Sequence, residues 1–303
     1  MRFFAIFVIF LCYTRGYTCV QDSIRVQANI VKGKEFSSIG SLEQFAFKRF
    51  KSKIKINRGK IAFALPSSVE PGVYRLHLDT LNTKPYIDII IDGKEPYIIF
   101  DIDVFGFEVY PVFYKSIENL KWYMYLDKSK KMINRLDMLF NYLTIFHSKS
   151  DTTDRSIINV YQNERVKYYS LFNEFVKENH DRWCGLLVKN RPYYYSDLNK
   201  KPIERDFIRK NFFWEGIDTN DYRLINTPLY EELIYLYFEK YYLKPIETYS
   251  ATQGDFNLKK GIDVALDKFS NNRETKIFIQ NFLKLYFECL KRQDLVNYIK
   301  NKI

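Results

Sequence analysis

The chain has 303 residues, 47% of them hydrophobic and 27% charged, which excludes intrinsic disorder and allows two domains with a real core. Its formal charge of +11 comes from 47 Lys and Arg against 36 Asp and Glu. The basic residues are spread along the chain, which reads as solvated lysines on most faces, so nucleic acid is not an expected partner.

The N-terminal stretch MRFFAIFVIFLCYTRG places Arg2 before an apolar run from Phe3 to Tyr13, with small residues after it. A membrane-spanning helix needs about 20 apolar residues, so this run is too short to span. It fits the apolar segment of a secretory signal peptide covering residues 1–16, with cleavage after Gly16. Arg15 is awkward at such a site. Cys19 raises a second route, cleavage before it and attachment of lipid, for which the preceding GYT is a poor signal. Both routes export the chain to the periplasm or the outer cell envelope, and the second attaches it to a membrane through Cys19.

Residues 20–112 read as an antiparallel β-domain. SIRVQANIV alternates, and KSKIKINRGKIAFALP gives two strands around Asn57-Arg58-Gly59. In PGVYRLHLDT, Val73, Arg75, His77 and Asp79 alternate with Tyr74, Leu76, Leu78 and Thr80. KPYIDIIIDGKEPYIIFDID reads as a second hairpin around Asp92-Gly93, and FGFEVYPVF closes the series. Six to eight short strands of this kind suggest a sandwich or barrel in which one sheet face is buried and the other wet.

Residues 116–303 carry a helical period instead. SIENLKWYMYLDKSKKMINRLDMLFNYL spaces Leu120, Tyr123, Met124, Met132, Leu136, Leu139 and Leu143 as a helix would, with Ser116, Glu118 and Asn119 at its start. A second helix in SIINVYQNERVKYYSLFNEFVKEN has Ile158, Val166, Tyr169, Phe172 and Val176 as inner positions. Further helices are predicted over 182–190, 203–213, 228–242, 258–269 and 274–300, punctuated by Pro192, Pro202, Pro228 and Pro245. Thr227-Pro228 is a good helix opening, since Thr can cap and Pro fits the first turn. The fold class is therefore α+β, an N-terminal sandwich or barrel-like domain followed by an α-helical domain, with the cut near 110–118.

Chemistry-bearing residues are sparse. His77, His147 and His180 share no metal-ligand spacing and read as surface or capping residues. Asp101 and Asp103 share one strand face but lack the further oxygen ligands of a calcium loop. With Cys12 removed, Cys19, Cys184 and Cys289 remain, without a CxxC. The last two sit in helical, apolar patterns as buried thiols. Arg191, Tyr193, Tyr194 and Tyr195, in RPYYYSD, form a candidate interaction surface. Such a cluster can stack on sugars or bases, or anchor its loop with the rings buried.

Several segments together resemble the non-catalytic N-terminal part of envelope thioredoxin-like proteins, of the AhpC/TSA and TlpA/ResA-like type. They are PGVYRLHL, IDIIIDGKEPYIIFDID, SIENLKWYMYL, NFFWEGIDTNDYRLINTPLYEELIYLYFEKY and NNRETKIFIQNFLKLYFECLKRQDLVNYIKNKI, in family order. The resemblance covers most of the mature chain. Ser-x-Glu-Asn-x-x-Trp and Phe-Trp…Thr-Pro carry most of its weight. It implies a small β-domain of the DUF4369 type, then a helical region, then a thioredoxin-like domain with a CxxC. This sequence stops at Ile303, before that domain, and no catalytic residue of the family has a matching position. The expectation is a non-enzymatic exported accessory protein with no catalytic residue, cofactor or metal. A protein partner or cell-envelope component would be its target, and its oligomeric state is left open. The other expectation is the regulatory part of a redox enzyme that acts with a separate CxxC chain. Intact-mass measurement of the envelope form checks the export reading. The expected chain lacks its first 16 to 18 residues, whereas added acyl mass at Cys19 would establish the lipoprotein route.

Overall fold

A computed structural model of the chain describes residues 23–31, 37–45, 51–79, 86–105, 108–146, 152–191, 195, 197–198, 200, 202–239 and 251–302. The signal-peptide segment 1–16 and Cys19 lie outside the described residues, as do His147, Tyr193 and Tyr194.

Eight strands form one sheet: β1 (Ser23–Ile30), β2 (Ser38–Gln44), β3 (Lys51–Asn57), β4 (Lys60–Pro66), β5 (Gly72–His77), β6 (Tyr86–Ile91), β7 (Tyr97–Phe105) and β8 (Glu108–Lys115). Their order is β6-β5-β2-β3-β4-β1-β7-β8, and the two edge strands approach each other, so the sheet is barrel-like and nearly closed. Period-two alternation puts Ile24, Val26, Ala28, Ile54, Ile56, Ile61 and Leu65 inside. Arg58 and Gly59 both have positive φ, which fits the two-residue turn joining β3 to β4.

The sheet departs from the sequence reading at two places. All its pairings are antiparallel except β1 with β7, which run parallel, Arg25 facing Tyr97. Asp92-Gly93 does form a turn: the Asp92 carboxylate accepts from the amides of Lys94 (2.9 Å) and Glu95 (3.0 Å), and Gly93 has φ +77. It is nevertheless no hairpin. β6 pairs with β5, while β7 pairs with β1 and β8, so the turn leads the chain across the mouth of the barrel. Turn chemistry reverses a chain locally but does not decide which strands pair afterwards.

The helical part consists of α1 (Ile117–Phe146), α2 (Thr152–Glu178), α3 (Trp183–Lys189), α4 (Pro202–Asn211), a 3-10 turn (Tyr222–Asn226), α5 (Leu229–Phe238), α6 (Ala251–Lys268), α7 (Arg273–Cys289) and α8 (Gln293–Lys300). The single helix expected over 274–300 is broken at Lys291, whose φ of 56 ends α7. Asn272 starts α7 by accepting from the amides of Glu274 and Thr275. Fully buried Tyr161 and Tyr168 are the inner residues of α2 against α1. Val166, expected inside, is 63% exposed. Ile158, Tyr169, Phe172 and Val176 do pack inward as expected, and buried tyrosine rings fill the seam where Val166 does not.

The expectation of a wet outer sheet face fails at β5 and β6. Val73 and Ile90 belong to the helical core, whereas Tyr74, Leu76, Ile89 and Ile91 belong to the barrel core. These two strands are covered on both sides because the helical part packs on them. α1 makes the joint. The fully buried Asn119 accepts from the Ile90 amide (2.8 Å) and donates to the Ile90 carbonyl (2.7 Å), satisfying both groups on the open edge of β6. One turn further on, the Tyr123 hydroxyl donates to the Asp88 carbonyl at 2.9 Å. Ser116, at φ 123, caps α1 by accepting from Asn119 N–H at 3.2 Å, and its hydroxyl donates to Glu95.

Replacing Asn119 by Ala leaves two buried strand groups unpaired. The expected loss is roughly 2–4 kcal/mol, read from urea unfolding of the full chain. Gly93→Val should cost less, about 1–2 kcal/mol, because it forces a branched residue into positive φ.

Candidate functional site

The helical face of β5 ends in a cavity. Its volume is about 310 Å³, at the lower end of the range for small-molecule sites. Val73 forms its floor from the sheet. Trp122, Tyr125 and Leu126 of α1 form one wall, Leu187 and Val188 of α3 another, and Pro228 and Leu229 a third. The polar groups lining it are Ser129, Lys130 and Arg191. No carboxylate is among the described lining residues.

Each wall is held by hydrogen bonds from the segments that the sequence reading singled out. In Ser116–Trp122, Glu118 accepts from the amide of Cys184 at 2.9 Å and pairs with Arg182 at 3.5 Å, fixing the start of α3. Lys121 donates to Asn179 at 2.6 Å just before it. In the stretch from Asn211 to Leu233, Trp214 packs edge-on against Phe269 and beside Tyr237. The Tyr230 hydroxyl donates to the carbonyls of Asp218 (2.6 Å) and Asp221 (3.0 Å), and Thr219 donates to the Lys268 carbonyl at 2.6 Å. Thr227 accepts from the Leu229 amide at 3.2 Å, the capping role expected of it. The 3-10 turn meets β5 at Gly72, where an added Cβ would come 2.5 Å from the Asn226 carbonyl oxygen.

Arg191 is the part of the expected tyrosine–arginine surface that reaches the cavity, and it forms an ion pair with Glu232. Tyr195 does not join it. Its ring is buried, edge-on to Tyr168 at 5.3 Å, and its amide donates to the Tyr169 hydroxyl at 3.1 Å. Tyr195 anchors its loop to α2, so the surface reading is corrected at this position. Lys130 is exposed at the cavity and has no carboxylate partner among the described residues. Its ammonium lies 5.9 Å from the Tyr110 ring.

The other singled-out groups stand apart from the cavity. Asp101 accepts from Asn29 (3.1 Å) and from the Tyr114 hydroxyl (2.8 Å) on the outer sheet face. His77 is buried rather than at the surface, and burial holds its imidazole below the ordinary value. His180 is exposed near the Lys177 carbonyl, close to the end of α2. Arg75, on the same face of β5 as Val73, grips Asp88 with two bonds of 2.7 and 2.8 Å and stacks on Tyr86. Among the described residues no group of three or more His, Cys, Asp or Glu is placed to hold a metal ion. No described helix is long and apolar enough to cross a membrane.

Cys184 is buried and Cys289 exposed, both as free thiols. The expectation of two buried thiols thus fails at Cys289, the last residue of α7, where the inward stripe has turned away. Burial, reinforced by the Glu118 carboxylate, pushes the Cys184 thiol up to about 12. Of the cavity groups, sequence reasoning found Arg191 and missed Val73 and Lys130. Val73 looked solvent-facing by alternation, and Lys130 was one of 47 basic residues. No family model, curated protein or solved structure matches the chain.

At pH 8 a thiol reagent should modify Cys289 in the native protein and reach Cys184 only after denaturation. The raised thiol also links to stability. Its contribution is complete below the unfolded value of about 8.5 and is lost as pH rises through about 12. Cys184→Ala should therefore flatten the fall in urea midpoint over that alkaline window.

Proposed function

We propose that the protein is a non-catalytic exported accessory module of the cell envelope, and that it works by holding an apolar group in the cavity between β5, α1, α3 and α5. The observation that carries this reading is the cavity's composition. Its walls are aliphatic and aromatic, with Ser129, Lys130 and Arg191 as its few polar groups. Ser129 donates to the Leu126 carbonyl at 3.2 Å, Arg191 is engaged by Glu232, and the Cys184 thiol is held neutral. A nucleophile needs a base within hydrogen-bond reach; Cys184 has the Glu118 carboxylate there, but burial keeps its thiol protonated and it does not line the cavity. The bound group would belong to a protein partner or an envelope component.

A second reading keeps the resemblance to thioredoxin-like envelope proteins and makes the chain the regulatory part of a redox pair. Its support is that Ser116–Trp122 and the Phe213-Trp214…Thr227-Pro228 stretch, which carry the resemblance, are also the segments that frame the cavity. In that case the ligand would report to a separate CxxC chain.

Methyl NMR of the full chain distinguishes binding from its absence. Titration with n-octanol should shift the methyls of Val73, Leu187, Val188 and Leu229 saturably. Leu126→Trp, which fills the cavity from α1, should suppress those shifts while leaving the remaining methyl spectrum folded. Insulin reduction should stay at background; turnover abolished by Cys184→Ser or Cys289→Ser would overturn the non-catalytic reading.

A further inference from the structure

We infer that the ligand of this cavity is a medium-chain carboxylate, an amphiphile of about eight carbons in all with a single anionic head. This rests on the cavity being a binding site and goes on to specify its occupant. The length follows from the volume. A cavity of 310 Å³ holds roughly ten groups of about 30 Å³ each. An eight-carbon acid fills it, whereas a long-chain acid would leave half its tail in water.

The sign of the head group follows from the charges that line the site. Lys130 and Arg191 are its two ionised residues among those described, and both are cations. Among the described residues Lys130 has no ion pair, and the Tyr110 ring face is its one close partner. It can therefore turn its three donors on an anion without breaking an existing salt bridge. Arg191 is paired with Glu232 through one terminal nitrogen, and its planar fork has further N–H groups to offer. Glu232 itself, with its side chain 46% exposed, stands outside the cavity and does not line it. A cationic ligand head would face Lys130 with nothing to offset the repulsion. A neutral head would leave the lysine's charge unused.

The tail meets a matching environment. Trp122, Tyr125, Leu126, Leu187 and Leu229 offer no donor or acceptor that would require a polar chain along the walls beyond the tyrosine hydroxyl and indole N–H. α1 supplies Lys130 together with the apolar Trp122, Tyr125 and Leu126, Arg191 follows α3, and β5 and α5 add Val73 and Leu229.

The test compares octanoate, n-octanol and octylamine on the full-length protein at low ionic strength, by calorimetry and by methyl NMR at Val73 and Leu187. Octanoate has one apolar carbon fewer than the other two probes, so a tighter octanoate reports its head group and not its tail. Octanoate should bind about tenfold tighter than octanol, and octylamine weaker than either. Lys130→Glu should remove the preference for the acid, and Arg191→Gln should reduce it, with octanol affinity unchanged in both. Equal affinity of the wild type for octanoate and octanol, with saturable shifts from each, would overturn the anion assignment and leave the cavity a binding site. Acid preference that survives Lys130→Glu would overturn the assignment of the head-group site. No methyl shift from any of the three probes would sink both readings.

Discussion

Everything in this fold depends on how the open edge of β6 is closed. A strand edge exposes amide and carbonyl groups that must find partners, and buried edges cannot leave them to water. Here the side-chain amide of Asn119 takes the place of a further strand, one donor and one acceptor set against Ile90. Tyr123 repeats the device at Asp88. Because Asn119 and Tyr123 lie on the first turns of α1, the same contacts that finish the sheet also fix the direction of the longest helix. Glu118, beside Asn119, then anchors α3. The cavity lies between α1 and α3, over Val73.

That arrangement explains why the two apolar interiors lie back to back, one on each face of β5 and β6. Val73 and Ile90 project from the sheet into the helical cluster, while their neighbours Tyr74 and Ile89 project into the barrel. A sheet covered on both faces carries continuous apolar strands. YIDIII in β6 has that character, with Asp88 neutralised by Arg75.

Local signals were legible in the sequence where local physics decides the outcome. The change of period near residue 116 matches the switch from β8 to α1, and Arg58-Gly59 and Thr227 do the turn and capping work their chemistry suggests. The parallel seam was not legible, since nothing in SIRVQANIV names its partner. Nor was the dry outer face of β5, because alternation in VYRLHL looks the same whether a face meets water or a helix. The cavity lay further out of reach. Its lining comes from four elements, and Lys130 differs from other lysines only in what surrounds it.

The parallel pairing of β1 with β7 also has a consequence for synthesis. Asn29 and Asp101, neighbours across that seam, are 72 residues apart in the chain. At about 5–20 residues per second, a ribosome needs roughly 4–14 s to deliver the second strand after the first. β4 arrives early and covers one edge of β1, but the other edge waits with its amides and carbonyls unpaired. Such an edge is a template for a neighbouring nascent chain. Arg25, Gln27 and Asn29, all exposed along β1, make the face opposite Ile24, Val26 and Ala28 charged and polar. Their placement makes the waiting strand a poor nucleus for aggregation until β7 arrives.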